Sequence, residues 1–310
     1  MRLLILATMS LAAIVVRADD GLLFRAAFDG SLDAYSLGGA GTPVGVERVA
    51  EPAYAPGRFG QGLLCGPEQA LVHYRTAANV MPPSGTISLW VKPLNWTPND
   101  GCFHVFFESG SGAGTTGWLL LYQFYQGGQM LLRYADEKQR VGMASAPVLG
   151  WQPGEWHHLA GTWSPDAERL YIDGELAAVA PTPLVAETLG DTFALGDNGW
   201  HVPHAGAQTL LDEVRIYAYP LTPERIRELA GHGRLTVSRG PAEGQWQAQL
   251  NVGAREEAKR ARFQVLPAAG GPPAKTAEAE MAKGAAKVVL AVADLPPGAY
   301  RVTAQALDAN

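Results

Sequence analysis

Charge is scarce in this chain: Asp, Glu, Lys and Arg make up 17% of its 310 residues, and 30 acidic side chains outnumber 24 basic ones. Nucleic acid and anionic membrane surfaces are held by dense Lys and Arg, so that balance argues against both as partners. Cysteine is scarcer still. Cys65 and Cys102 are the only two, which excludes a disulfide-rich scaffold, and no Cys or His pair has the spacing of a zinc site. Beyond the amino terminus no apolar run approaches the ~20 residues of a membrane-spanning helix, so no transmembrane anchor is expected. Nor does any nucleophile stand beside a marked base.

What is there begins with "MRLLILATMSLAAIVVRADD", in which Arg2 precedes an apolar run from Leu3 to Val16 and the small residue Ala18. Residues 1–18 read as a secretory signal peptide, with cleavage expected between Ala18 and Asp19. Loss of Arg2 and Arg17 leaves 22 basic against 30 acidic side chains, a balance of −8. The exported compartment is oxidising, so Cys65 and Cys102 admit a disulfide. Their neighbours in "GLLC" and "CFHVFF" equally suit two small buried hydrophobes.

With 47% hydrophobic residues, 36 Gly and 22 Pro, the chain has the composition of a folded protein rich in turns and short strands. In "GTISLWVKPL" (residues 85–94), Ile87, Leu89 and Val91 alternate with Ser88, Trp90 and Lys92, the two-residue period of a half-buried strand. "GLLFRAAF", "QALVHYR", "CFHVFFES", "GWLLLYQFY" and "GQMLLRYA" extend the pattern. In "RLYIDGELAA", Asp173-Gly174 between apolar runs predicts a hairpin. One helix is expected in "LTPERIRELAG": Thr222 caps, Pro223 opens the first turn, Ile226 and Leu229 share a face, and Gly231 ends it. After His232 aromatics almost vanish, leaving Trp246, Phe263 and Tyr300. There "KTAEAEMAKGAAK" reads as two strands turning at Lys283-Gly284. The expected architecture is therefore all-β: a two-sheet antiparallel sandwich over residues 19–231, then a smaller immunoglobulin-like β-sandwich over 235–310. The closing "LPPGAYRVTAQALDAN" stops where another strand is expected, so the chain reads as part of a longer polypeptide with further domains.

The adjacent histidines of "GEWHHLAGTW" invite a metal or a catalytic reading. In an extended strand, however, His157 and His158 point to opposite faces and cannot share an ion. His201 and His204, in "GWHVPHAG", are a looser pair on a Gly- and Pro-containing loop.

The succession "FDGSLDA", "GRFGQGLLCG", "GTISLWVKPL", "PGEWHHLAGTW", "LYIDGELAA", "FALGD" and "LLDEVRIYAYPLTPERIREL" resembles the laminin-G-like domains of the concanavalin A-like lectin/glucanase superfamily, over about two thirds of the chain. The resemblance implies a jelly roll of two antiparallel sheets in which the histidines mark the fold. It also implies a structural calcium ion between the first and last strands, for which Asp29 and Asp212 are the matching positions, although "GSLDAYSLGGAG" offers only Asp33 as a further ligand. Glycosidases resembling the laminarinase type carry E-x-D-x-x-E on one strand, placing two carboxylates at retaining separation. That spacing is missing here, so no catalytic residue is assigned.

The expected role is non-catalytic: recognition of polysaccharide or a cell-surface glycan by rings that stack on sugar faces. Trp96, Trp118, Tyr125, Trp200 and His201 fall at expected loop or rim positions, while Trp90, Trp156 and Trp163 read as core. A structural or protein-binding accessory module and an unrecognised glycoside hydrolase are the alternatives.

Overall fold

The computed structural model describes residues 21–111, 114–196, 206–231, 234–242, 244–251, 259–267, 272–282, 285–296, 298 and 300–307. The leader segment 1–18 lies outside them. Sixteen strands make up the first part. In chain order they are β1 (Leu22–Ala26), β2 (Tyr35–Ser36), β3 (Gly45–Glu47), β4 (Tyr54–Pro56), β5 (Gln61–Cys65), β6 (Leu71–Arg75), β7 (Gly85–Pro93) and β8 (His104–Gly110). Then come β9 (Trp118–Phe124), β10 (Gln129–Ala135), β11 (Val141–Pro147), β12 (His157–Trp163), β13 (Glu168–Ile172), β14 (Glu175–Ala180), β15 (Thr192–Leu195) and β16 (Thr209–Tyr217). Helix α1 (Pro223–Leu229) follows, and β17 (Arg234–Arg239), β18 (Gln245–Asn251), β19 (Arg260–Pro267), β20 (Lys275–Glu280), β21 (Ala285–Ala291) and β22 (Tyr300–Leu307) complete the elements among the described residues.

The first sixteen strands form a nine-stranded sheet, ordered β14-β13-β12-β7-β16-β1-β2 with β5 and β4 joined through β16, and a seven-stranded sheet, ordered β11-β10-β9-β8-β15-β6-β3. All the named pairings within both are antiparallel. This is the expected jelly roll. Between the sheets, alternate residues of each strand meet: Phe24, Ile87, Leu89, Val91, Leu159, Trp163, Val214 and Ile216 from one, and Tyr74, Phe106, Phe107, Leu119, Leu121, Leu132 and Phe193 from the other. Burying a Leu, Ile or Phe contributes ~1.5–3 kcal/mol each, so this layer dominates stability. Trp163 is fully buried and donates its indole N–H to the Met81 carbonyl at 3.0 Å. Its ring occupies the space where a side chain on Gly85 would lie, which explains a glycine in mid-sheet.

The hairpin signal of Asp173-Gly174 is realised: β13 pairs β14, with φ of +50° and +84° at the two turn residues. The helix also forms where expected, the Thr222 hydroxyl accepting the Arg225 amide at 3.3 Å. Its Ile226 packs with Leu221 on Leu22, Ala160, Tyr171 and Tyr217, on the outer side of the nine-stranded sheet. Strand β7 is buried on both faces rather than half-buried as its alternation suggested, because residues 219–221 cover Thr86, His158 lies on Ser88 and Arg58 covers Trp90.

The last six strands form two three-stranded sheets, β17-β18-β21 and β20-β19-β22. They share a small core of Ala248, Leu250, Ala261, Phe263, Val265, Ala286 and Leu290, an immunoglobulin-like sandwich. The expected strands in "KTAEAEMAKGAAK" are present as β20 and β21, but they do not form a hairpin. Each enters a different sheet, with the Ala282–Ala285 bridge between them. A two-layered core needs this: β21 buries Ala286 and Leu290 from one side while β19 presents Phe263 from the other.

Candidate functional site

His157 and His158 lie back to back, as the strand reading required. His157 stacks on Trp151, ring centroids 3.9 Å apart, and its Nδ1 lies 2.9 Å from Asp173 Oδ2. His158 is buried on the outer side of the nine-stranded sheet, its Nε2 2.9 Å from the Ser88 hydroxyl. The other Asp173 oxygen accepts the His158 amide at 2.9 Å. Asp173 therefore ties the strand to the turn that follows β13, and these hydrogen bonds hold its carboxyl below the usual range against the opposing effect of burial.

The expected rim aromatics separate into three groups. Trp96 is a correction: it is buried in the main core, stacked on His104 at 3.7 Å, with its indole N–H donated to the Thr209 hydroxyl at 2.9 Å. Trp200 and His201 lie outside the described residues, as does His204. Trp118 and Tyr125 border one apolar cluster from opposite ends of β9, on the outer side of the seven-stranded sheet. Two tryptophans expected in the core also sit elsewhere. Trp90 is buried on the outer side of the nine-stranded sheet beneath Arg58, whose guanidinium carbon is 4.5 Å from the ring centre, and Trp156 is half-buried with Lys92 5.6 Å over its ring.

Register explains the Trp118 face. Trp118, Leu120 and Tyr122 alternate with the core residues Leu119 and Leu121 on β9, and Leu120 stands opposite Glu108 of β8 and Arg133 of β10. A second apolar cluster results, separate from the main core: Phe103, Val105, Leu120, Tyr122 and Leu131, with Trp118, Phe124 and Tyr125 half-buried around it. Phe103 is its hub, with ring centroids 4.8 Å from Tyr125, 5.2 Å from Phe124 and 6.1 Å from Tyr122. At its edge the Trp118 indole N–H donates to Glu108 Oε1 at 3.0 Å, and the Arg133 guanidinium lies 4.8 Å over the indole. Burial pushes the Tyr122 phenol up, and Arg133 opposes that shift by charge and hydrogen bond. The half-buried rings of Trp118, Phe124 and Tyr125 thus stand over a buried layer of Phe103, Leu120 and Tyr122, with one cation and one carboxylate at the Trp118 end, a set suited to a ligand with both C–H faces and hydroxyls. Phe103, Glu108, Tyr122, Phe124 and Arg133 were not singled out from the sequence. The available signal was that "GWLLLYQFY" is apolar in both phases of its alternation, which means a layer on each side of the sheet.

Asp29 and Asp212, the matching calcium positions, both engage the turn between β4 and β5. Asp29 Oδ1 accepts the Gln61 amide and Asp212 Oδ2 the Phe59 amide, each at 2.8 Å. Asp212 is fully buried. Desolvation pushes its carboxyl up to about 7, and its Oδ1 has no hydrogen-bond partner among the described residues. That oxygen and the second oxygen of Asp29 are hard donors of the kind calcium takes. Among the described residues no group of three or more His, Cys, Asp or Glu side chains gathers, so a calcium ion here would draw its other ligands from backbone carbonyls. The two cysteines are both thiols and not the disulfide that the sequence admitted. Cys65 is buried in the core on β5, its sulfur 3.6 Å from the Leu63 carbonyl, whereas Cys102 sits before β8 in the other sheet, 3.8 Å from the Asp100 carbonyl.

A second buried carboxyl is Glu168 on β13, whose two oxygens lack partners among the described residues and whose pKa burial raises to about 7. It lies against Gly142 of β11, where the two sheets meet. Among the described residues no helix is long and apolar enough to cross a membrane.

The known proteins place this architecture. Residues 72–227 match the laminin-G family model of the concanavalin A-like lectin/glucanases superfamily. Among solved structures, domain 4 of AbnA, a GH43 extracellular arabinanase from Geobacillus stearothermophilus, in complex with arabinotriose, is similar at 26% identity and a TM-score of 0.51, over 68% of this chain and 99% of that one. The binding domain of Paraclostridial Mosquitocidal Protein 1 is similar at 14% identity and a TM-score of 0.55, over 75% of this chain and 64% of that one. The binding domain of Botulinum Neurotoxin DC in complex with SialylT is similar at 15% identity and a TM-score of 0.55, over 75% and 57%. The two toxin likenesses concern the fold alone. A search of curated proteins finds no match. With half of its length matched by the family model, the chain belongs to the laminin-G-like family of the concanavalin A-like lectin/glucanases superfamily.

Proposed function

We propose that this chain is an exported, non-catalytic protein that binds polysaccharide through the outer face of its seven-stranded sheet. The observation that carries the reading is the Phe103–Tyr122–Phe124–Tyr125 cluster, edged by Trp118 with Arg133 over its ring and Glu108 on its indole N–H. The half-buried rings of Trp118, Phe124 and Tyr125, backed by the buried Phe103 and Tyr122, supply the apolar face for sugar C–H groups, and the guanidinium and carboxylate offer a donor and an acceptor for hydroxyls. The arabinotriose complex of the 26%-identical arabinanase domain supports a neutral glycan as ligand, and that domain's place within a larger enzyme supports an accessory role in a longer polypeptide. The immunoglobulin-like part, residues 235–310, is in this reading a separate unit from the jelly roll at 19–231, and calcium, bound at Asp29 and Asp212, is structural.

A glycosidase reading finds less support. The two carboxyls that burial holds near neutrality do not face one another: Glu168 points between the sheets beside Gly142, and Asp212 lies on the outer row with Trp90. Acid and nucleophile must flank one bond.

Affinity electrophoresis in gels containing arabinan, xylan or a β-glucan tests the proposal. At least one polymer should retard the wild-type chain, and Trp118→Ala or Arg133→Gln should weaken that retardation by tenfold or more while the far-ultraviolet circular dichroism of the folded chain is kept. Absence of retardation by every polymer, or variants that bind like wild type, would overturn it.

A further inference from the structure

A cleft of about 390 Å³ opens at one end of the jelly roll, where residues 187–191 meet Gly110 and Gly117 at the Trp118 end of β9. One wall is the end of β6 and the turn after it, with Arg75, Thr76, Ala77, Ala78, Met81 and Pro82, and the other is residues 187–191 ahead of β15. Small-molecule sites run from ~300 to 1,000 Å³, so its volume suits one or two sugar units rather than a length of polymer.

Both walls are held by buried side chains from behind. Asn79 is fully buried and donates its amide to the Ala40 and Arg75 carbonyls at 2.9 and 3.0 Å, while its oxygen accepts the Ser36 hydroxyl at 2.7 Å. Trp163 and Tyr134 hold the Met81 and Pro82 carbonyls at 3.0 and 2.5 Å. Opposite, one oxygen of Glu137 accepts the Glu187 and Thr188 amides, both at 2.9 Å, Ser109 holds the Leu189 carbonyl at 2.8 Å, and the Thr76 amide donates to the Asp191 carbonyl at 3.0 Å. With so much of the backbone engaged inward, the walls present side chains outward in a shape already formed, which lowers the ordering cost of binding.

Those side chains define the ligand. Ala77, Ala78, Met81 and Pro82 supply aliphatic surface, with Met81 40% exposed although it is a large apolar residue. Arg75, Glu187 and Asp191 are exposed at the rim. Thr76 is buried at the cleft, and its hydroxyl has no partner among the described residues. One guanidinium against two carboxylates disfavours an anion. A neutral sugar suits the set, since its hydroxyls donate to carboxylates and accept from a guanidinium at once. Among the described residues no aromatic ring lines the cleft, so the contact is edge and hydroxyl recognition rather than stacking.

We propose that this cleft is a second, independent glycan subsite that takes the terminal one or two residues of a neutral saccharide. The inference rests on the glycan-binding reading of the protein and adds a site that recognises chain ends. Titration of the full chain with arabinobiose and arabinotriose, followed by calorimetry and by ¹³C-methyl NMR of Met81, tests it. Binding should shift the Met81 methyl, and Asp191→Asn with Glu187→Gln should weaken it at least tenfold while leaving retardation by polymer unchanged. Trp118→Ala should do the reverse. Polymer binding without any Met81 shift, or a shift that survives the double variant, would overturn the cleft and leave the platform standing. If neither oligosaccharide nor any polymer bound, both would fall.

Discussion

Asp29 and Asp212, 183 positions apart in the chain, hold a single turn from two sides, one on the amide of Gln61 and the other on the amide of Phe59. The turn carries Arg58, which covers Trp90. Asp212 is buried and Asp29 exposed, so the two bonds are unequal. Removing a buried acceptor leaves an amide unsatisfied at a cost of ~1–3 kcal/mol. Asp212→Ala is expected to lower unfolding free energy in urea by about that much, and Asp29→Ala by less than half of it. The calcium proposal has its own readout: calcium should raise the wild-type melting temperature, EGTA should reverse the gain, and Asp29→Asn should abolish it. A melting temperature indifferent to both additions would exclude the ion.

Glu168, like Asp212, makes stability depend on pH between the acid range and neutrality. Burial holds its folded-state pKa at about 7, above the ordinary value of 4.5. The folded chain thus binds this proton more tightly than the unfolded one, so stability falls as pH rises from about 4.5 to 7 and stays reduced beyond. Glu168→Gln, which cannot ionise, should be more stable than wild type at pH 8 by on the order of 2 kcal/mol, and should show no such gain at pH 4. Urea denaturation at the two pH values measures this, and equal stability at pH 8 would refute it.

Asp173 acts with the opposite sign. Its carboxyl is held below the ordinary range by His157 and the His158 amide, so the stabilisation is present above its unfolded pKa and is lost as pH falls through the lowered folded value. Asp173→Ala gives up both bonds and puts alanine at φ +50°, and a loss of about 1–2 kcal/mol at pH 7 is expected. Asp173→Gly, which suits that backbone conformation, should lose less. Thermal melts of the two variants compared at pH 7 and pH 3 test the order, and the difference from wild type should shrink in acid.

Gly85 and Trp163 test the core. Gly85→Ala would drive a methyl into the indole, with an expected cost of about 1–3 kcal/mol. In Gly85→Ala/Trp163→Phe the smaller ring makes room, so the double variant should be less destabilised than the two single costs added together. Strict additivity in urea unfolding would show that the two positions do not collide.

Much of the fold was legible because its causes are local. The Asp173-Gly174 turn, the Thr222 cap and the opposed histidines of β12 each depend on a few neighbouring residues, and each formed as expected, whereas β7 is a strand buried on both faces and not on one. The tryptophans show where that reach ends. Trp90, Trp96 and Trp156 carry the same chemistry, yet one is covered by an arginine on an outer face, one fills the core against His104, and one stays half-buried under a lysine. Alternation says that successive side chains part company, but not which side meets the other sheet or what covers the reverse.

Sequence alone determined the all-β sandwich, the order of its turns and the separation of His157 from His158, since backbone period and turn chemistry act over a few bonds. Only tertiary structure decided that Trp118 and Tyr125 share a cluster with Phe103, that Asp29 and Asp212 clamp one turn, and that residues 75–82 face residues 187–191 across a cleft. Those meetings join segments brought close by sheet order and packing, and no short-range preference encodes them.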